Sequence, residues 1–167
     1  MELSFIFQVI SNLAIILGIV FGILNLRNFQ KMRKREAAIL MLNSFQTSEF
    51  VKGLLYILDL DHNPSKEEID SLPQEQHVCF YMLLGTWERL GILVYRREID
   101  ITMLEDAYSG PIMLSWGKLE TYISEVRASW GRESAFEWFQ WLAERVIERD
   151  KKIQSKPAFI AYKNWEK

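Results

Sequence analysis

The first 26 residues and the rest of the chain follow different hydrophobic patterns. From Phe5 to Leu26 there are 22 consecutive residues without a charge. As a helix rising about 1.5 Å per residue, this run would be about 33 Å long, enough to cross a hydrocarbon core of about 30 Å. Farther on, apolar residues recur every three or four positions, and no long alternating run suggests a strand. The stretch "REAAILMLNSFQ" is rich in helix formers and continues the first helix. "SEFVKGLLYILDL" predicts a second helix with Ser48 as N-cap, broken by "DHNPS". Ser65 and Glu68 have capping-box spacing for a short helix ending before Pro73. Gln74–Tyr95 predicts a largely buried helix. Thr102 and Glu105 repeat the capping-box spacing for a short helix to about Tyr108. Gly110–Pro111 then opens a helix to Trp130, stopped by Gly131, and a last one runs from Glu133 to Ile153. The expected fold is all-α: a single N-terminal transmembrane helix continuing into a cytoplasmic helical bundle. Residues 1–34 form the anchor and its basic flank, 35–156 the helical domain, and 157–167 an aromatic tail.

The anchor is not uniformly apolar. At about 100° per residue, Ser4, Gln8, Ser11, Ala14, Gly18, Gly22 and Asn25 share a sector of about 120°, with Asn12 at its edge. Lipid tails give no reason to collect small and polar residues on one side. A protein surface does, because small residues let helix backbones approach and amides can bond across the contact. Ala14, Gly18 and Gly22 make a small-xxx-small ladder. The reading is self-association through this face, with pairing to a different membrane protein and chance clustering as alternatives. A few copies would bury the face as a dry seam. More copies could turn Gln8, Ser11, Asn12 and Asn25 toward a water-filled lumen, weakly selective because no charge ring lies in the span.

Charge fixes the expected topology. Arg27, Lys31, Arg33, Lys34 and Arg35 follow the span directly, whereas Glu2 is the only charged side chain before it. That order is the reverse of a signal peptide, and no small-residue cleavage site follows. The basic flank belongs on the cytoplasmic side, so the N-terminus points outward. The same five residues could contact anionic lipid head groups or a small anionic signal. Residues 59–78 are acidic, with Lys66 against six carboxylates. The net charge of -2 gives no reason to expect a nucleic-acid partner. Cys79, the one cysteine, excludes an intrachain disulfide framework and suits a reducing compartment.

Candidate chemistry is sparse. His62 and His77 are the only histidines, and no zinc, Walker or dinucleotide pattern occurs. His77 and Cys79 are two residues apart, which on a helix turns them to different sides. "DLDHNPSKEEID" has oxygen-bearing residues at alternate positions of a calcium loop. Pro64 occupies the position that needs glycine, and Asp70 replaces the bidentate glutamate. It reads as a solvated acidic turn. No catalytic residue, metal or cofactor is expected. Phe136, Trp138, Phe139 and Trp141 put aromatics on two faces of the last helix, for core burial or an inter-subunit contact. Phe159, Tyr162 and Trp165 could dock on a neighbour, the bilayer interface or their own domain. Arg89, Arg96, Arg97 and Arg127 are candidates to pair with Glu88, Glu98 or Glu125.

"GPIMLSWGKLETYISEVR", with Trp116, Leu119, Tyr122 and Arg127 at helical spacing, resembles a family of uncharacterised bacterial proteins. These join an N-terminal membrane helix to a small helical cytoplasmic domain of unknown function. The resemblance covers roughly residues 5–150, and its motif is loose and mostly structural. It implies a bacterial inner-membrane setting. By analogy with small membrane proteins of this build, it also suggests a toxic effector in phage defence. The expected function is a non-enzymatic, homo-oligomeric single-span protein that forms a pore or disrupts the membrane under control of its helical domain. The alternative is a membrane-tethered interaction or regulatory module, with a regulatory protein as partner.

Overall fold

A computed structural model of the chain describes residues 2–45, 47–60, 62–153, 157–161 and 163–164, without the side chains at 2–5, 9, 34, 37, 38, 41, 42, 44, 153 and 161. The described residues are all-α. In chain order the helices are α1 (Glu2–Ser44), α2 (Ser48–Asp59), α3 (Lys66–Asp70), α4 (Gln74–Tyr95), α5 (Ile101–Trp130), α6 (Glu137–Ile153) and α7 (Ala158–Ala161). Met1–Leu40 and Met41–Lys167 form separate units.

In the first unit α1 is a continuous helix, and Ile6–Arg33 is long and apolar enough to cross a membrane. None of that span is buried. The second unit is a helical bundle in which α2 packs on α4, α4 on α6, α5 on α6, and α2 and α3 on α5. Its core is aromatic. Trp87 on α4 meets Phe45 and Phe50 at 5.5 and 5.4 Å and lies parallel to Phe139 on α6 at 6.3 Å. Trp116 on α5 meets Phe139 edge-on at 5.4 Å. Helix α4 is also apolar and long enough to span a bilayer, but half of it is buried in this core. Its hydrophobicity is therefore used on protein neighbours.

Two helix pairs approach through glycine. A Cβ on Gly53 of α2 would sit 2.4 Å from the Cys79 carbonyl oxygen of α4, and one on Gly91 of α4 would sit 2.2 Å from the Trp138 carbonyl oxygen. Neither position leaves room for a side chain. Both glycines stand inside apolar helical runs, where glycine costs about 1 kcal/mol against alanine and so hints at a close contact.

Several boundaries differ from expectation. The N-cap of α2 is Thr47, whose hydroxyl accepts from the Phe50 amide at 3.3 Å; Ser48 is the first helical residue. Ser65 does cap α3, accepting from the Glu68 amide at 3.2 Å. Asp100, rather than Thr102, caps α5, accepting from the Thr102 amide at 2.9 Å. Helix α5 then runs unbroken through Gly110–Pro111. Pro111 removes the bond to the carbonyl four residues back. Tertiary burial outweighs this, with Leu104 and Ile112 fully buried on either side of the interruption. Gly131 ends α5 in the left-handed region at φ 60°, as expected. Helix α6 starts at Glu137 instead of Glu133, because the Ala135 carbonyl is taken by the Arg127 side chain at 2.9 Å and Phe136 adopts φ 54°.

Candidate functional site

The candidate site is one side of α1. Gln8, Ser11, Asn12, Ala14, Gly18, Gly22 and Asn25 are all exposed, and a Cβ on Gly18 or Gly22 would meet no atom within 4 Å. At about 100° per residue along this helix they share a sector, with Asn12 at its edge. Phe7 and Ile15 fall in the same sector, so its N-terminal half is mixed. From Gly18 to Asn25 the sector is purely small or amide-bearing. In a hydrocarbon solvent such a strip can satisfy its amides only against protein or trapped water.

The basic flank follows on the same helix. Arg27, Lys31, Arg33 and Arg35 are exposed, whereas the Lys34 side chain lies outside those described. The Arg33 guanidinium sits 5.9 Å from the centre of the Phe29 ring, one turn back, within cation–π range.

The remaining candidate chemistry resolves into structural contacts. His62 bonds the Glu68 carboxylate at 2.9 Å. Its acidic loop cannot be compared in full with a calcium loop, since Asp61 lies outside the described residues. No group of three or more His, Cys, Asp or Glu that could hold a metal ion occurs among the described residues. Cys79 is buried beside Gly53. His77 is half-buried with its ring edge-on to Tyr81 at 4.9 Å. A shallow cleft of about 430 Å³ between α2 and α4 is lined by Glu49, Lys52, Gln74, Glu75, Val78 and Cys79. The Lys52 ammonium and Glu75 carboxylate meet there at 2.8 Å. Their hydrogen bond and opposite charges raise the lysine pKa and lower the glutamate pKa. An exposed ion pair beside a buried thiol gives no nucleophile–base arrangement.

Long-range polar contacts in the bundle serve helix ends. Glu88 of α4 accepts from the Phe139 amide at 2.8 Å, in the first turn of α6. Glu125 of α5 accepts from the Lys66 amide at 2.6 Å, at the start of α3. Lys118 of α5 donates to the Leu58 carbonyl at 3.0 Å and also to that of Leu60, at the end of α2. Carboxylates thus stand at helix N-termini and an ammonium at a C-terminus, in the sense the helix dipole favours. Burial pushes the Glu88 carboxyl above its ordinary value, opposed by amide bonds from Phe139 and Trp138. The expected surface pairing of Arg127, Glu88 and Glu125 is replaced by these bonds. Arg127 instead clamps Ala135 and the Gln140 side-chain oxygen, the latter at 2.7 Å. Thr102 and Glu105, read as a capping box, face Arg149 of α6, with Glu105 accepting at 2.5 Å. Nothing local marks these contacts, because their partners are up to 60 residues apart.

The aromatic expectations divide. Phe139 is fully buried, whereas Trp138 and Trp141 are half-exposed and pack on Tyr95 at 4.8 and 5.8 Å. Phe159 is exposed, and Tyr162 and Trp165 lie outside the described residues. Trp116, Leu119 and Tyr122 are core residues of α5. With the Arg127 clamp they make the resembling motif a packing motif.

The family model for a domain of unknown function, DUF4760, matches residues 12–146. The chain belongs to this family. The DUF4760 match begins inside α1 at Asn12 and ends in α6 at Val146, so it includes both the Gly18–Asn25 strip and the bundle. No curated protein and no solved structure matches the chain.

Proposed function

We propose that this protein is a bacterial inner-membrane protein with one span, its N-terminus outside and its bundle in the cytoplasm, that self-associates through the Gln8–Asn25 face of α1. The observation that carries the reading is the unburied Ile6–Arg33 helix whose Gly18–Asn25 sector has no aliphatic side chain. The one-sided basic flank orients it. The DUF4760 match covers this part of the helix as well as the bundle, which supports giving it a role of its own. In this reading the protein carries out no enzymatic reaction. The bundle receives a signal and sets the arrangement of the spans, and the amides of Gln8, Asn12 and Asn25 line a weakly selective conduit. A conduit that dissipates ion gradients would make it a membrane-damaging effector, of the kind used in phage defence. The Arg27–Arg35 collar would contact anionic lipid head groups or a small anionic signal.

Full-length protein in liposomes tests this. Ions or a small dye should leak out, and Gly18→Leu or Asn12→Leu should change the leak. A monomeric mass in several mild detergents would reject self-association, and tight liposomes containing oligomer would reject the conduit alone. The aromatic cluster of exposed Tyr95 with half-buried Trp138 and Trp141 favours a second reading, a tethered module that recruits a regulatory protein. In that case an unrelated apolar span would preserve function.

A further inference from the structure

The exposed face of α1 does not stop where the hydrocarbon would. From Gly18 the sector continues through Gly22, Asn25, Phe29, Met32, Glu36 and Ile39, with steps alternating between four and three residues. This is the a/d spacing of a coiled coil. On a straight helix it drifts about 20° per heptad, which a left-handed supercoil absorbs. The composition changes sharply along it. The first three positions are small or amide-bearing. Beyond Arg27 they are large and apolar except at Glu36, and Phe29, Met32 and Ile39 are 60%, 62% and 49% exposed. Leu40, beside the ladder, is 69% exposed.

Measured along the helix, Met32 lies about 9 Å and Ile39 about 20 Å beyond Leu26. The polar layer of one leaflet is only about 5–8 Å deep. Ile39 therefore lies beyond the reach of lipid, and water is the solvent it must leave. In hydrocarbon, small and amide-bearing residues favour a helix contact; in water, large apolar residues do. The ladder switches composition at the boundary while keeping its register.

We infer that α1 is one continuous parallel seam between copies of this chain, running from Gly18 in the membrane to Ile39 in the cytoplasm. The inference rests on the self-association proposed above and extends it beyond the bilayer. A second copy is the fitting occupant, because two chains anchored with the same orientation present this helix parallel and in register. Charge placement agrees. By register Arg27, Lys31 and Lys34 fall on the outer side, away from the ladder. Glu36 is the one charge within it, and Arg33 and Arg35 occupy the flanking e and g positions. The partner's arginines can therefore neutralise the carboxylate in the seam, which also pins the register.

Single-cysteine cross-linking of the full-length chain in membranes tests this, in a Cys79→Ala background checked for native helix content. Cross-linking should be strong at positions 18, 22, 25, 29, 32, 36 and 39 and weak at 27, 31 and 34. Strong cross-links that end at 25, or peak at 27 and 31, would overturn the extended seam while self-association stands. No cross-links at any position would overturn both. A second readout keeps the native cysteine. Met32→Asp with Ile39→Asp should raise the detergent-solution dissociation constant about tenfold or more, whereas Lys31→Gln with Lys34→Gln should leave it unchanged. Equal effects of the two pairs would likewise overturn the inference.

Discussion

Replacing Gly91 by alanine tests the packing of the bundle at its tightest point. The added Cβ would lie 2.2 Å from the Trp138 carbonyl oxygen, 2.7 Å from its carbon and 2.9 Å from its Cβ. Ordinary contact begins at 3.4 Å, so the start of α6 must retreat from α4 by about 1.2 Å. The nearest atoms are backbone, so no rotamer change relieves the overlap. A gap of 0.5–1 Å already forfeits a quarter to a half of a dispersion contact. The neighbouring residue is fully buried Phe139, which holds Trp87 and Trp116. Its amide also bonds Glu88 at 2.8 Å, a distance that the shift would not preserve. Overpacking costs about 3 kcal/mol and the lost cap about 1 kcal/mol, while alanine returns about 1 kcal/mol of helix propensity. The net loss is about 3 kcal/mol, or about 6–12 °C in melting temperature. The assay is thermal unfolding of the full-length chain in detergent, followed by near-ultraviolet circular dichroism of the tryptophans. Gly85, six residues earlier in α4, is the internal control. A Cβ there meets nothing within 4 Å, so Gly85→Ala should stabilise by about 1 kcal/mol. If Gly91→Ala melts at or above the parent temperature, α4 and α6 do not approach as described.

Glu88→Ala should cost about 1 kcal/mol through the lost cap on α6, whereas Glu88→Gln keeps an acceptor and should cost less. Burial raises the native pKa of Glu88 above 4.5, so the native state binds the proton more tightly than the unfolded chain. Parent stability should therefore fall relative to Glu88→Gln as pH rises from about 4.5 through the raised value, a difference that denaturant midpoints measured across pH would reveal. Lys118→Met should cost about 1–2 kcal/mol in the same denaturation assay, because the end of α2 loses its cation while the aliphatic stem is retained. Burial and the hydroxyl contact with Tyr81 at 3.2 Å push the Tyr122 pKa upward. Ultraviolet titration should show one tyrosine ionising well above the rest, and Tyr122→Phe should remove that step at a cost of about 1 kcal/mol.

The elements legible in the sequence are those whose causes are local. Helix α4 has the bounds that its apolar run suggested, because Pro73 and the charged turn after Tyr95 frame it within a few residues. Ser65 and Gly131 likewise act on amides and carbonyls three or four positions away. The small and polar face of α1 depends only on register. Where the forces are non-local, local reading failed. Gly110–Pro111 carries a helix-start signal, yet burial of Leu104 and Ile112 keeps α5 whole. Thr102 and Glu105 have capping spacing, yet their oxygens face Arg149 more than 40 residues away. The start of α6 was displaced by one arginine reaching the Ala135 carbonyl.

The chain alone therefore determines an apolar span, its basic flank and an all-α character, since each follows from charge and periodicity over one or two turns. Only the tertiary structure decides which glycines are contacts, which charges close helix ends, and that α4 is a core helix although it is apolar enough to span a membrane. Those outcomes require groups distant in sequence to share a solvent-free surface, and no single segment encodes the identity of its neighbour.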